Sequence, residues 1–192
     1  GDLPGGAHTY LDYLVEQVFH RGESITLTED QCAEVDREFL QYYHRRICWL
    51  ALREFARAVD DADHTLALMD FAAEHSPDPE WTLSHEQYRP FVLFHRTQAA
   101  ALVELESNRP EEALEQVRKG KLQLQAAFED ARDEDFEQSE MVQQLDELKG
   151  WIRERYQIDR TLNEQLAEAV AKEQYELAAR LRDEIAKKAR GL

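Results

Sequence analysis

Glycine and proline are scarce in this chain, at 7 and 5 of 192 residues. A β-rich fold needs many turn residues, so their scarcity argues for long helices joined by short connections. Cysteine is scarce too. Cys32 and Cys48 form no CxxC pair and have no histidine at metal-ligand spacing, which argues against a disulfide framework or a zinc site and for buried, reduced thiols in a cytoplasmic protein. No apolar run reaches 18 residues, so no membrane span is expected. No secretory leader is recognisable. The opening Gly1-Asp2-Leu3-Pro4-Gly5-Gly6 lacks methionine and reads as the start of a piece of a longer protein.

Positive charge is the remaining deficit. Lys and Arg number 23 against 40 Asp and Glu, a net charge of −17. Such a surface repels a phosphate backbone, so direct nucleic-acid binding is not expected. From Asp159 to Leu192 there are seven acidic and seven basic residues, so the whole excess lies before Asp159. A neutral tail on an acidic body suggests two units, residues 1–157 and 158–192.

What the chain does have is 43% hydrophobic residues, enough for a core, arranged with helical period. Leu11, Leu14, Val15, Val18 and Phe19 form one stripe over about His8 to His20, and Gly22 can supply a left-handed stop. Thr28 and Gln31 make a capping box for a long helix to about Leu52, with Val35, Phe39, Tyr42, Tyr43, Ile47 and Leu50 near one side. A tight turn at Arg53-Glu54 leads into a helix from Phe55 to about Glu74. Ser76-Pro77-Asp78-Pro79 is a stop. Ser84, with Gln87 three residues on, is read as the cap of the next helix, to about Glu106. Asn108-Arg109-Pro110 turns the chain into a helix to about Ala127, with Pro110 near its first position. The acidic stretch Glu129–Glu140 reads as a solvated linker. Met141, Leu145, Leu148, Trp151 and Ile152 form a further stripe, and helices over about Thr161–Ala171 and Gln174–Lys188 close the chain. The expectation is an all-α fold of eight helices, mostly antiparallel hairpins.

Two hairpins share a pattern, Arg45–Leu66 and Ala99–Leu124. Each has an apolar helix, a short polar turn, and an alanine (Ala58, Ala113) soon after the turn, with Ala62 and Gly120 as supporting small residues that permit close approach. The turn Ser107–Ala113, reading SNRPEEA, resembles that of the tetratricopeptide repeat, and Arg53–Ala58 resembles it more loosely. Ala58 and Ala113 are 55 residues apart, against roughly 34 in a regular array, so the body reads as degenerate tetratricopeptide-like hairpins. The resemblance implies protein or peptide binding on a concave helical face. A plain bundle without a groove remains the other reading.

The segment Leu162–Ile185 is the most specific stretch. Leu166, Ala169 and Val170 make a stripe on one helix. Tyr175, Ala178, Ala179, Leu181, Arg182 and Ile185 make another on the next, and Lys172-Glu173-Gln174 leaves room only for a turn. Ala169, followed by Tyr175, Glu176, Ala178, Ala179, Leu181, Arg182, Asp183 and Ile185, resembles the UVR (UvrB/UvrC) motif, over about 30 residues. That family implies a helical hairpin that binds proteins and often self-associates. Its hosts include excision-repair proteins. The partner-binding candidates are Leu166, Val170, Tyr175, Ala178, Leu181, Arg182 and Ile185.

Chemistry-bearing patterns are missing: no HExxH, ExxH pair, P-loop, GxGxxG or GxSxG. Asp60, Asp61 and His64 share a helix face and could ligate a metal, but a solvated face or structural Asp–His pair is the plainer reading. Tyr42, Tyr43 and Trp49 read as core. Arg45 and Arg46 could meet a peptide carboxylate or pair with nearby acids. No cofactor, metal or catalytic residue is assigned. The expected function is a non-catalytic adaptor with a protein partner, with a homodimer through the hairpin as one form of that partnership. The alternative is an accessory factor in bacterial nucleotide excision repair.

Overall fold

The computed structural model describes residues 7–21, 25–130 and 136–190. Among them are nine α-helices, one 3-10 turn at Phe136–Gln138, and no strand. The helices are α1 (Tyr10–Arg21), α2 (Glu29–Ala51), α3 (Phe55–Glu74), α4 (Pro79–Glu86), α5 (Arg89–Glu106), α6 (Pro110–Asp130), α7 (Glu140–Tyr156), α8 (Leu162–Ala171) and α9 (Tyr175–Ala189). The chain is all-α and ends in a helical hairpin. The expected stop at Gly22, the opening six residues and the middle of the acidic stretch, 131–135, lie outside the described residues.

Local signals start these helices where the sequence placed most of them. The Thr28 capping box is formed, with the Gln31 amide donating to Thr28 Oγ1 at 3.3 Å and the Thr28 amide to Gln31 Oε1 at 2.9 Å. The extra helix is α4. Asp78 is extended and Pro79 takes the first helical position, where its fixed φ and missing N–H suit a helix start. Ser84, expected as a cap, lies inside α4 and donates to the Trp81 carbonyl at 2.6 Å. Serine can cap or bond back to its own helix, and here the earlier proline had already started the turn.

The hairpins α2–α3, α5–α6 and α8–α9 turn in the same way. Arg53, Asn108 and Glu173 are left-handed, with φ of 60, 54 and 57°. Each amide donates three residues back, and the next amide donates five residues back: Glu54 to Trp49 O at 2.9 Å, Arg109 to Glu104 O at 2.9 Å, Gln174 to Ala169 O at 2.8 Å. This is the Schellman pattern, which satisfies carbonyls that a helix end leaves free. Four residues further, Ala58, Ala113 and Ala178 are all buried. A methyl there lets the partner helix approach without a gap or a clash.

The hairpins stack in order. α3 packs against α2 and α5, α6 packs against α5, and α7 closes on α6. The main core lies among α5, α6 and α7 and includes Phe94, Val117, Leu124, Phe128, Leu145 and Ile152. Ala62 is fully buried on α3. At Gly120 α6 comes close to α5, since a Cβ there would lie 1.9 Å from Thr97 Oγ1.

A second cluster ties α1 to α2 and α3 through Leu11, Leu14, Val35 and Leu68. The stripe read on α1 is only half used: Val15 and Phe19 are exposed, because α1 lies on its neighbours by its Leu11–Leu14 edge. On α2 the inward seats differ from the sequence reading too. Ile47 is exposed, while Glu38 and Arg46 are buried. No helix among the described residues is long and apolar enough to cross a membrane.

Candidate functional site

The hairpin begins at a second capping box. The Glu164 amide donates to Thr161 Oγ1 at 3.2 Å, and the Thr161 amide donates to Glu164 Oε2 at 3.0 Å. Helices of 10 and 15 residues then meet along a small interior of Ala169, Ala178 and Leu181, flanked by Leu162 and Leu166. Two helices this short are marginal in water without further packing.

The candidate residues fall into two groups. Leu166, Ala178 and Leu181 face the hairpin's interior. Val170, Tyr175 and Arg182 are exposed, with Val170 and Tyr175 flanking the turn at the tip. Arg182 lies 3.5 Å from Asp183. Ile185 is half-buried and lines the seam between the hairpin and α6.

Ions rather than apolar surface join the hairpin to the body. Glu164 pairs with Arg153 of α7, and Lys149 Nζ lies 3.6 Å from the same carboxylate. Burial pushes the Glu164 carboxyl up, but the Thr161 amide and the charges of Arg153 and Lys149 outweigh it, and the net shift is downward. At the other end Lys188 pairs with Glu111, with Glu112 at 3.9 Å. The hydrogen bond to Glu111 raises the Lys188 pKa. Open clefts of about 690 and 280 Å³ flank the seam. The first is lined by Arg160, Glu168 and Leu177, the second by Glu112, Leu162 and Ile185. The arrangement is a small hairpin held against an acidic body by a half-buried pair, Glu164–Arg153, and an exposed one, Lys188–Glu111, the latter of the kind that typically contributes about 0–1 kcal/mol.

Of the residues considered for a metal, Asp61 and His64 are engaged elsewhere, and Asp60 is exposed. Asp61 accepts from Arg45 at 2.9 Å, and His64 Nε2 lies 2.8 Å from Glu38 Oε1 with its ring stacked on Tyr42. Glu38 was missed in the sequence because a glutamate on a long acidic helix looks solvated. Only its seat opposite the start of α1 shows otherwise.

Neither a curated protein nor a solved structure matches the chain. Residues 160–189 match the family described as the UvrB/uvrC motif, and these are the residues from just before the Thr161 cap to the end of α9.

Proposed function

We propose that the chain is a non-catalytic protein-interaction module, an adaptor of the cytoplasm in which the body carries the C-terminal hairpin and the hairpin meets a protein partner. One observation carries this reading. The hairpin has a small interior and is held to the body mostly by charge, yet it leaves Val170 and Tyr175 exposed at its tip. An apolar tip on a weakly held element is suited to burial against another protein. The match to the UvrB/uvrC motif supports the same reading. So does the commitment of Asp61, His64 and Glu38 to pairs inside the fold rather than to a common cleft.

A second copy of the chain is the partner tested first. Light scattering on the full chain and on a Val170→Glu, Tyr175→Glu variant decides it. A dimer that the variant loses supports self-association through the tip. A dimer kept by the variant places the contact elsewhere. A monomeric full chain rejects self-association and leaves a foreign protein as partner. The alternative, an accessory role in bacterial nucleotide excision repair, is favoured by the motif alone. Fluorescence anisotropy with duplex and single-stranded DNA at low salt tests its direct form, and absence of binding there removes DNA contact from it.

A further inference from the structure

Far from the hairpin, a cleft of about 540 Å³ opens between α2 and the start of α5, within the range of small-molecule sites. Phe39, Leu40, Tyr43, Tyr88 and Phe91 wall it, and the remaining polar contribution is Arg46. Arg46 is 1% exposed. Its Nη1 donates to Thr65 Oγ1 at 3.0 Å, and that hydroxyl already donates to the Asp61 carbonyl at 2.7 Å. Nε is buried without a partner. Among the described residues no carboxylate lies within ion-pair distance of Arg46. Asp61 is bound to Arg45 at 2.9 Å and supports the Arg46 charge only from further away.

A buried guanidinium without an anion is an unfavourable arrangement, and the fork of N–H donors matches a carboxylate in shape and charge. The nearby His95 cannot serve as that anion. Burial and the Arg46 charge hold it down at about 4, so it is neutral at pH 7, and its Nδ1 is also buried without a partner. The protein around the site carries a net charge of −17, so a lone inward cation is not part of a general basic surface.

We propose that this cleft binds a small amphipathic carboxylate, with its apolar body among Phe39, Leu40, Tyr43, Tyr88 and Phe91 and its head on Arg46. A peptide chain fits less well. Its amides need partners, and the only polar side chains on the wall besides Arg46 are the Tyr43 and Tyr88 phenols. A fatty acid or arylalkanoic acid has one polar group, and Arg46 is the one charged residue that lines the cleft. This inference is independent of what the hairpin binds.

Titration calorimetry of the full chain with decanoate, decanol and decyltrimethylammonium tests it, because the three probes share a tail and differ in head. Decanoate should bind at least about tenfold more tightly than decanol, and the cation least of all. Arg46→Met keeps the stem and removes the charge, and should abolish the preference for decanoate over decanol. Leu40→Glu sits on the exposed rim, so it spares the core while placing a like charge at the mouth. It should weaken decanoate and not the cation, which keeps the test open if R46M fails to fold. Equal binding of decanoate and decanol overturns the proposal, as does an unchanged preference in folded R46M or in L40E. Tighter binding of trileucine than of decanoate overturns it in favour of a peptide C-terminus.

Discussion

Glu38 shows most directly what a single side chain does here. It sits on α2, buried, and accepts the amides of Tyr10 at 2.5 Å and Leu11 at 3.1 Å. Those are N–H groups of the first turn of α1, which have no partner within their own helix, and a carboxylate also complements the helix dipole there. Burial pushes the Glu38 carboxyl up, but hydrogen bonds from His64 and the two amides outweigh it and hold the pKa below the usual value. A lowered folded pKa means stability that is fully present above the ordinary carboxylate range and lost as pH falls through the folded value. Glu38→Gln should therefore lower stability by about 1–3 kcal/mol at pH 7. Urea melts should show that deficit shrinking as the pH falls below the carboxylate range. A deficit that stays constant with pH would mean that the charge of Glu38 does not hold α1.

Pairs of helices depend on small residues at their closest points. At Gly120, alanine is the better helix former by about 1 kcal/mol, yet its methyl would overlap Thr97. Thr97 is 2% exposed and its hydroxyl is committed to the Leu93 carbonyl at 2.7 Å, so it cannot easily move away. We expect Gly120→Ala to destabilise by about 1–3 kcal/mol in chemical denaturation, against the helix propensity. In the α8–α9 hairpin the same logic separates inside from outside. Leu181→Asp puts a charge into the only interior the hairpin has and should open α8 and α9 to amide exchange. Tyr175→Asp, at 69% exposure, should leave exchange unchanged. Equal effects of the two would contradict the division of candidate residues made by the fold. The alternation of apolar helices, short turns and alanines was legible at this scale. The face each helix buries was legible only in part, as Val15, Phe19 and Ile47 show. A helical stripe states which residues can face inward together, not how wide the neighbouring surface is.

As a whole, the molecule combines a stack of five helices, α2, α3, α5, α6 and α7, with a hairpin attached by charge. Exposed ion pairs weaken as salt shortens the screening length from about 10 Å at 0.1 M to about 3 Å at 1 M. Raising the salt should therefore speed amide exchange in α8 and α9 while α5 and α6 stay protected. Exchange that rises equally in both would mean that the hairpin and body open as one unit. The two ends of the seam draw on opposite charges, Glu164 on Arg153 and Lys149 of α7 and Lys188 on Glu111 and Glu112 of α6. The charge count alone placed an acidic body beside a neutral tail, but not which charges of the two would meet.

The sequence by itself determined the helical class, the capping box at Thr28, the three tight turns and the terminal hairpin. All of these are set by residues within a few positions of one another, where propensity, capping and period act. Tertiary structure alone decided the seat of Glu38 under α1 and the burial of Arg46 without an anion. A charged residue on a long helix looks the same in sequence whether it meets water, an N-terminus or a closed cleft. Only the packing of α1, α3 and α5 around α2 distinguishes the three.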